Sequence, residues 1–114
     1  MASHKDPDVD QATREAIVAR LSDADAVVEI AIGTRTEVAE SLAECGVDVI
    51  ATDIRERAVP AGVTFVQDDL TDPDLAVYRG ADRLFARNLP AELQRPACDV
   101  AAACGAELVF TTLG

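Results

Sequence analysis

The strongest constraint on this chain is the stretch Val27-Val28-Glu29-Ile30-Ala31-Ile32-Gly33-Thr34. A nearly continuous apolar run carries one acid, reaches a glycine and gives way to a helical pattern. Twenty residues after Gly33, Asp53 closes a second apolar run, Val47 to Thr52. Strand, glycine loop, helix, strand and terminal acid in this order make a β-α-β unit. Such a unit meets a nucleotide at the carboxyl ends of parallel strands.

The rest of the chain repeats the alternation. Residues 1–5 are a polar tail, and residues 6–114 form a single domain. Asp6-Pro7 reads as a cap followed by proline at the first helical position, which predicts a helix from Pro7 to Leu21. Its inward stripe is read as Val9, Ala12, Ala16 and Ala19, widened by Ile17 and Leu21. The first strand is Ala26 to Ile32, apolar enough to be covered on both faces. Thr34 with Glu37 reads as a capping box for the next helix, with Val38, Leu42 and Cys45 inward and Gly46 as its left-handed exit. Further strands follow at Val47–Thr52, Val63–Val66, Ala81–Ala86 and Leu108–Thr112. A short helix opens at Thr71-Asp72-Pro73, and a longer one spans Ala91 to Cys104, where Pro96 predicts a kink or a late start. Both Cys45-Gly46 and Cys104-Gly105 sit between a helix end and a strand. Two answers to one linkage problem account for this likeness, with an old duplication as the alternative.

Five strands alternating with helices predict an α/β, Rossmann-like three-layer sandwich. Right-handed crossovers give its parallel sheet the order 3-2-1-4-5. The ligand zone then lies beyond the carboxyl ends, at the switch between strands 1 and 4. Ala31 to Arg35, Asp53, Asp68, Asp69, Arg87 and Asn88 are placed there.

Composition excludes several functions. There are 21 acids against 10 bases, and Lys5 is the single lysine. A dense acidic surface of this kind suits a high-salt cytoplasm, where ionic strength screens repulsion. A net charge of −11 argues against a sequence-independent grip on nucleic-acid phosphates. Cys45, Cys98 and Cys104 lack the spacing of a disulfide framework or a zinc site, so no metal is expected. No run approaches the ~20 apolar residues of a membrane span, and no apolar leader is present, which predicts a cytoplasmic protein. His4 is the only histidine, so a Ser-His or Cys-His pair has little basis. Neither a phosphate-binding glycine-lysine loop nor Gly-x-Gly-x-x-Gly is present.

At these residues the chain resembles the first part of a class I S-adenosylmethionine-dependent methyltransferase. More narrowly, it is similar to a small uncharacterised archaeal family with a shortened methyltransferase-like Rossmann domain. The matching segments are Val28–Gly33, Ala51–Ile54, Phe65–Asp69, Asn88–Leu93 and Leu108–Thr112. The resemblance implies S-adenosylmethionine as cofactor and Glu29, Ala31, Gly33, Asp53, Asp68 and Asp69 as cofactor-binding residues. Asp53 would accept hydrogen bonds from the ribose hydroxyls, or else cap its own loop. Asp68 or Asp69 would meet the adenine amino group, or else belong to an ordinary acidic loop. Glu29 would add polarity to the site, or else pair with a first-turn donor of the following helix. Asn88 and Pro90 would line the substrate side, as in the triplet that amino-methylating enzymes use. The chain departs from the pattern in three places. Ala31 and Arg35 replace the first and third glycines of acid-x-Gly-x-Gly-x-Gly, and Ala91 stands where an aromatic would stack on a base.

Three functions follow. One is a methyltransferase-like domain that binds S-adenosylmethionine or S-adenosylhomocysteine, its activity dependent on a partner. Another is a non-catalytic interaction or regulatory module that keeps the fold and has lost the cofactor. The third is a nucleotide or NAD sensor using Asp53 and Arg35. Full class I enzymes continue past strand 5, whereas here Gly114 follows it closely. Leu108-Val109-Phe110 is therefore expected to be an apolar edge that pairs with a second copy or a partner chain.

Overall fold

A computed structural model of the chain describes residues 7–112, so the polar tail, the Asp6 cap and Gly114 lie outside the described residues. The elements are α1 (Pro7–Leu21), β1 (Ala26–Ile30), α2 (Glu37–Glu44), β2 (Asp48–Asp53), β3 (Val63–Gln67), α3 (Leu75–Tyr78), β4 (Arg83–Ala86), α4 (Ala91–Cys104) and β5 (Glu107–Phe110). All strands are parallel, in the order β3-β2-β1-β4-β5.

The alternation of side chains along each strand divides the core in two. Val27, Val49 and Phe85 pack with Ile17 and Leu21 of α1 and Val38 and Leu42 of α2. Val28, Ile30, Leu84 and Ala86 pack with Tyr78 of α3 and Ala97, Val100 and Ala101 of α4. The central strands are buried on both faces, whereas β3 and β5 at the sheet edges are half-exposed. This is the three-layer arrangement that the continuous apolar runs of the central strands demand.

Local departures from the sequence reading have physical causes. The inward face of α1 follows Asp10, Arg14, Ile17, Val18 and Leu21, while Ala12, Ala16 and Ala19 face solvent. Large side chains took the core, and two charged ones took the end of the stripe nearest the ligand zone. β1 stops at Ile30, because Ala31 turns the chain at φ 56°. α2 starts at Glu37 after Thr36, which makes no side-chain cap hydrogen bond, so the Thr34/Glu37 capping box does not form. Cys45 is exposed, and the buried stripe of α2 is Val38, Ala39 and Leu42. α3 is a single turn capped by Asp74, whose side chain accepts from the Ala76 N–H. α4 continues through Pro96 from Ala91 to Cys104 with no late start.

The two Cys-Gly linkages share one geometry. Gly46 and Gly105 adopt φ 90° and 68°. After α2, the Gly46 N–H donates to Ala43 O and the Val47 N–H to Leu42 O; after α4, Gly105 and Ala106 donate to Ala102 and Ala101. Such paired bonds close a helix through a left-handed residue, and that requirement accounts for the sequence likeness.

Candidate functional site

At the carboxyl end of β1 the chain reverses through two left-handed residues, Ala31 (φ 56°) and Gly33 (φ 60°). Gly33 meets this need freely, whereas the methyl group of Ala31 adds steric cost. The loop is then tied to β2. The Ile32 N–H donates to Thr52 O at 3.0 Å, and the Gly33 N–H donates to Asp53 Oδ2 at 2.8 Å.

Asp53 is the hub of this end of the sheet. Its Oδ1 accepts from the Arg55 N–H at 3.0 Å and lies 3.5 Å from Arg57 Nε. The Arg57 contact is an ion pair without hydrogen-bond geometry, and that buried nitrogen has no hydrogen-bond partner. A carboxylate offers about four acceptor positions. The open one is on Oδ2, which carries only the Gly33 donor among the described residues.

Beside Asp53 lies a cleft of about 240 Å³, bounded by Ile30, Ala31, Asp53, Asp68 and Asp69 with Ile54, Leu70, Thr71 and Leu93. Asp68 is spent on structure, since Oδ1 accepts from the Asp74 N–H at 3.0 Å and Oδ2 from Tyr78 Oη at 2.6 Å. Burial and that hydrogen bond to Asp68 push the Tyr78 phenol well above its ordinary range. Asp69 turns on itself: its Oδ1 accepts from both the Thr71 N–H (2.9 Å) and Thr71 Oγ1 (2.7 Å). These two donors hold its carboxyl below the usual value. The apolar wall was not anticipated from sequence. Ile54, 62 % exposed at the rim, Leu70 and Leu93 supply surface for a flat ring. Its signal was an isoleucine placed after the strand-ending acid, where solvent would favour a polar residue.

Other residues of the expected site lie elsewhere. Glu29 is not in the cleft lining. Its register sets it beside Ala51 and Phe85, on the face covered by α1 and α2. It is 3 % exposed, and its Oε1 has no hydrogen-bond partner, so the expected first-turn donor does not reach that atom. Burial raises its pKa to about 8, against the pull of the Arg87 charge and with a further push from Glu37. Asn88 adopts φ 56°, a conformation asparagine tolerates, and its N–H donates to Thr111 Oγ1 at 2.8 Å. Pro90 is the exposed residue that precedes α4, and Leu89 between them is buried. Neither Asn88 nor Pro90 lines the cleft. Arg35, at the third glycine position, points to α1, where its Nη2 donates to Asp10 Oδ1 at 3.0 Å. Among the described residues no group of three or more His, Cys, Asp or Glu side chains is arranged to hold a metal. No helix there is long and apolar enough to cross a membrane.

Sheet order, the glycine turn and the acid ending β2 together define a Rossmann-like domain. The chain belongs to the uncharacterised protein family UPF0146, whose sequence model matches residues 11–114. A UPF0146 protein of Halobacterium salinarum is 54 % identical over 88 residues, covering 77 % of this chain and 68 % of the relative. One from Archaeoglobus fulgidus is 41 % identical over 87 residues, covering 76 % and 67 %. In structure, the chain is similar to the N-terminal domain of EvdMO1, solved with SAH bound. The TM-score is 0.66 at 15 % identity, covering 94 % of this chain and 49 % of that one. It is also similar to a putative exported protein from Burkholderia pseudomallei, with TM-score 0.62 at 20 % identity, covering 75 % and 46 %. The chain thus spans about half the length of these solved chains.

Proposed function

We propose that this domain binds the adenosyl part of S-adenosylmethionine or S-adenosylhomocysteine in the cleft at the ends of β1, β2 and β3. The carrying observation is the alignment of the left-handed turn at Ala31 and Gly33 with the Asp53 carboxylate, beside an apolar wall at Ile54, Leu70 and Leu93. The open position on Asp53 Oδ2 would accept a ribose hydroxyl, and the wall would cover the base. At about 240 Å³ the cleft is smaller than the roughly 300–1,000 Å³ usual for small-molecule sites, so it suits the nucleoside part alone. The SAH-bound neighbour supports the ligand class through its shared fold. Methyl transfer would require substrate contacts from a partner, since Asn88 and Pro90 lie outside the cleft lining.

The test is calorimetry in molar KCl with S-adenosylmethionine, S-adenosylhomocysteine and adenosine. Heat from all three, lost in Asp53→Ala, is the expected result; no heat at millimolar ligand overturns the proposal. One observation favours a non-catalytic module instead. Asp53 is already engaged by Gly33, Arg55 and Arg57, which is how a loop-capping acid behaves. A folded protein deaf to every adenosine-containing ligand would favour that second reading over the first. The edge of β5, with Phe110 exposed, is retained as the surface for a second copy or a partner chain. A clean monomer by sedimentation at high salt, with fast amide exchange along β5, overturns it.

A further inference from the structure

A second polar centre lies at the same end of the sheet, on the face covered by α1 and α2. Ile30 and Ala86 pair as the last residues of β1 and β4, the two strands from which the chain departs to opposite faces. Ligands of open α/β sheets enter at such a switch point. Here two arginines flank it, Arg35 from the loop after β1 and Arg87 directly after β4. Both donate to one oxygen: Asp10 Oδ1 accepts from Arg35 Nη2 at 3.0 Å and from Arg87 Nη2 at 2.7 Å. A third guanidinium, Arg14, lies 3.9 Å from Asp10 Oδ2. Three of the nine arginines in a chain of net charge −11 thus converge on a single carboxylate.

That carboxylate comes from the start of α1, ahead of Ile17 and Leu21, which anchor the helix in the core. Beneath the cluster sits Glu29, buried, with Oε1 unpartnered, and Arg87 is the positive charge that acts on it. Glu37 is the other acid whose charge reaches Glu29. Paired guanidinium groups of this kind are matched to planar or tetrahedral oxyanions.

We propose that Arg35 and Arg87 form an oxyanion-binding site at the β1/β4 switch point, which Asp10 fills from within, making the end of α1 that carries Asp10 a displaceable latch. The ligand group is a carboxylate or a phosphoryl oxygen set that takes the place of the Asp10 carboxylate. The site lies on the face covered by α1 and α2, away from the cleft walls Leu70 and Leu93 on the other face, and does not rest on adenosyl binding, because its probes contain no adenosine.

The experiment measures binding of inorganic phosphate and of acetate, at constant ionic strength in molar KCl, by calorimetry and thermal shift. Wild type, Asp10→Asn, and Asp10→Asn combined with Arg87→Met are compared. Asp10→Asn removes the internal charge and keeps the side-chain shape. It is expected to bind at least one probe about tenfold tighter than wild type, and the added Arg87→Met is expected to abolish the gain. The tighter probe identifies the ligand group. Equal binding by wild type and Asp10→Asn overturns the proposal, as does a double variant that binds as well as the single one. Should Asp10→Asn unfold, hydrogen exchange on wild type carries the test. High phosphate or acetate must then speed exchange along residues 11–14 relative to chloride of equal ionic strength; unchanged protection there overturns the latch.

Discussion

Two buried acids on neighbouring strands have opposite fates. Asp53 at the end of β2 is 7 % exposed and has donors on both oxygens. Glu29, one strand over, is 3 % exposed and leaves Oε1 bare. The difference lies in where each side chain sits relative to loop backbone. Asp53 is the last residue of its strand, so the turns after β1 and β2 bring N–H groups to it. Glu29 lies one residue inside β1, where neighbouring strands have already used the backbone donors, and only side chains can reach it. A carboxylate at a strand end is therefore a clasp, and one residue further in it is a cost that protonation relieves.

The largest effect that would test this contrast is the pH dependence of stability. The folded state raises the Glu29 pKa from 4.5 to about 8, so it holds this proton more tightly than the unfolded chain does. The contribution is complete below about pH 4.5 and is lost as pH rises through about 8. At roughly 1.4 kcal/mol per pH unit across this window, the loss is on the order of 5 kcal/mol. Denaturant unfolding at fixed high salt should show wild type weakening across this window, while Glu29→Gln loses most of the slope. Parallel curves for the two proteins would mean that Glu29 finds a partner when ionised.

Asp53→Ala comes next. It strands the Gly33 and Arg55 N–H groups and the Arg57 charge, and should destabilise by roughly 3 kcal/mol at neutral pH. A loss under about 0.5 kcal/mol would show that water replaces the clasp freely. Tyr78→Phe removes the donor to Asp68 within the buried α3 contact, and chemical unfolding should report a loss of about 1–2 kcal/mol. The smallest change is Ala31→Gly, which relieves the left-handed strain but frees the unfolded chain. A net gain of about 0.5 kcal/mol is expected, measurable as a small rise in the denaturation midpoint. A loss would mean that the Ala31 methyl packs usefully against the cleft.

Much of the framework was legible in the chain. The apolar runs of the central strands required cover on both faces, and the helices between them required parallel crossovers, so the sheet order followed. Gly46 and Gly105 marked helix exits because few other residues adopt their backbone conformation comfortably. The candidate cleft was legible in part. Asp53 stood out because its spacing from Gly33 placed it at a strand end, and the structure puts it at the cleft beside Ala31, Asp68 and Asp69. Glu29 was drawn to the same place by proximity in sequence, yet the period of a strand turned it to the other face. Asn88 and Pro90 matched a motif in order, but their backbone is used to join β4 to α4 beside Thr111.

The sequence alone determined which segments are strands and helices, and the order in which they pair, because these depend on local pattern and chain connectivity. Tertiary structure alone decided how the charges are spent. No spacing rule could show that Asp10 meets Arg87, seventy-seven residues away, or that Asp68 answers the buried phenol of Tyr78. Those pairings depend on which polar groups burial strands together, and burial is a property of the assembled layers rather than of any segment.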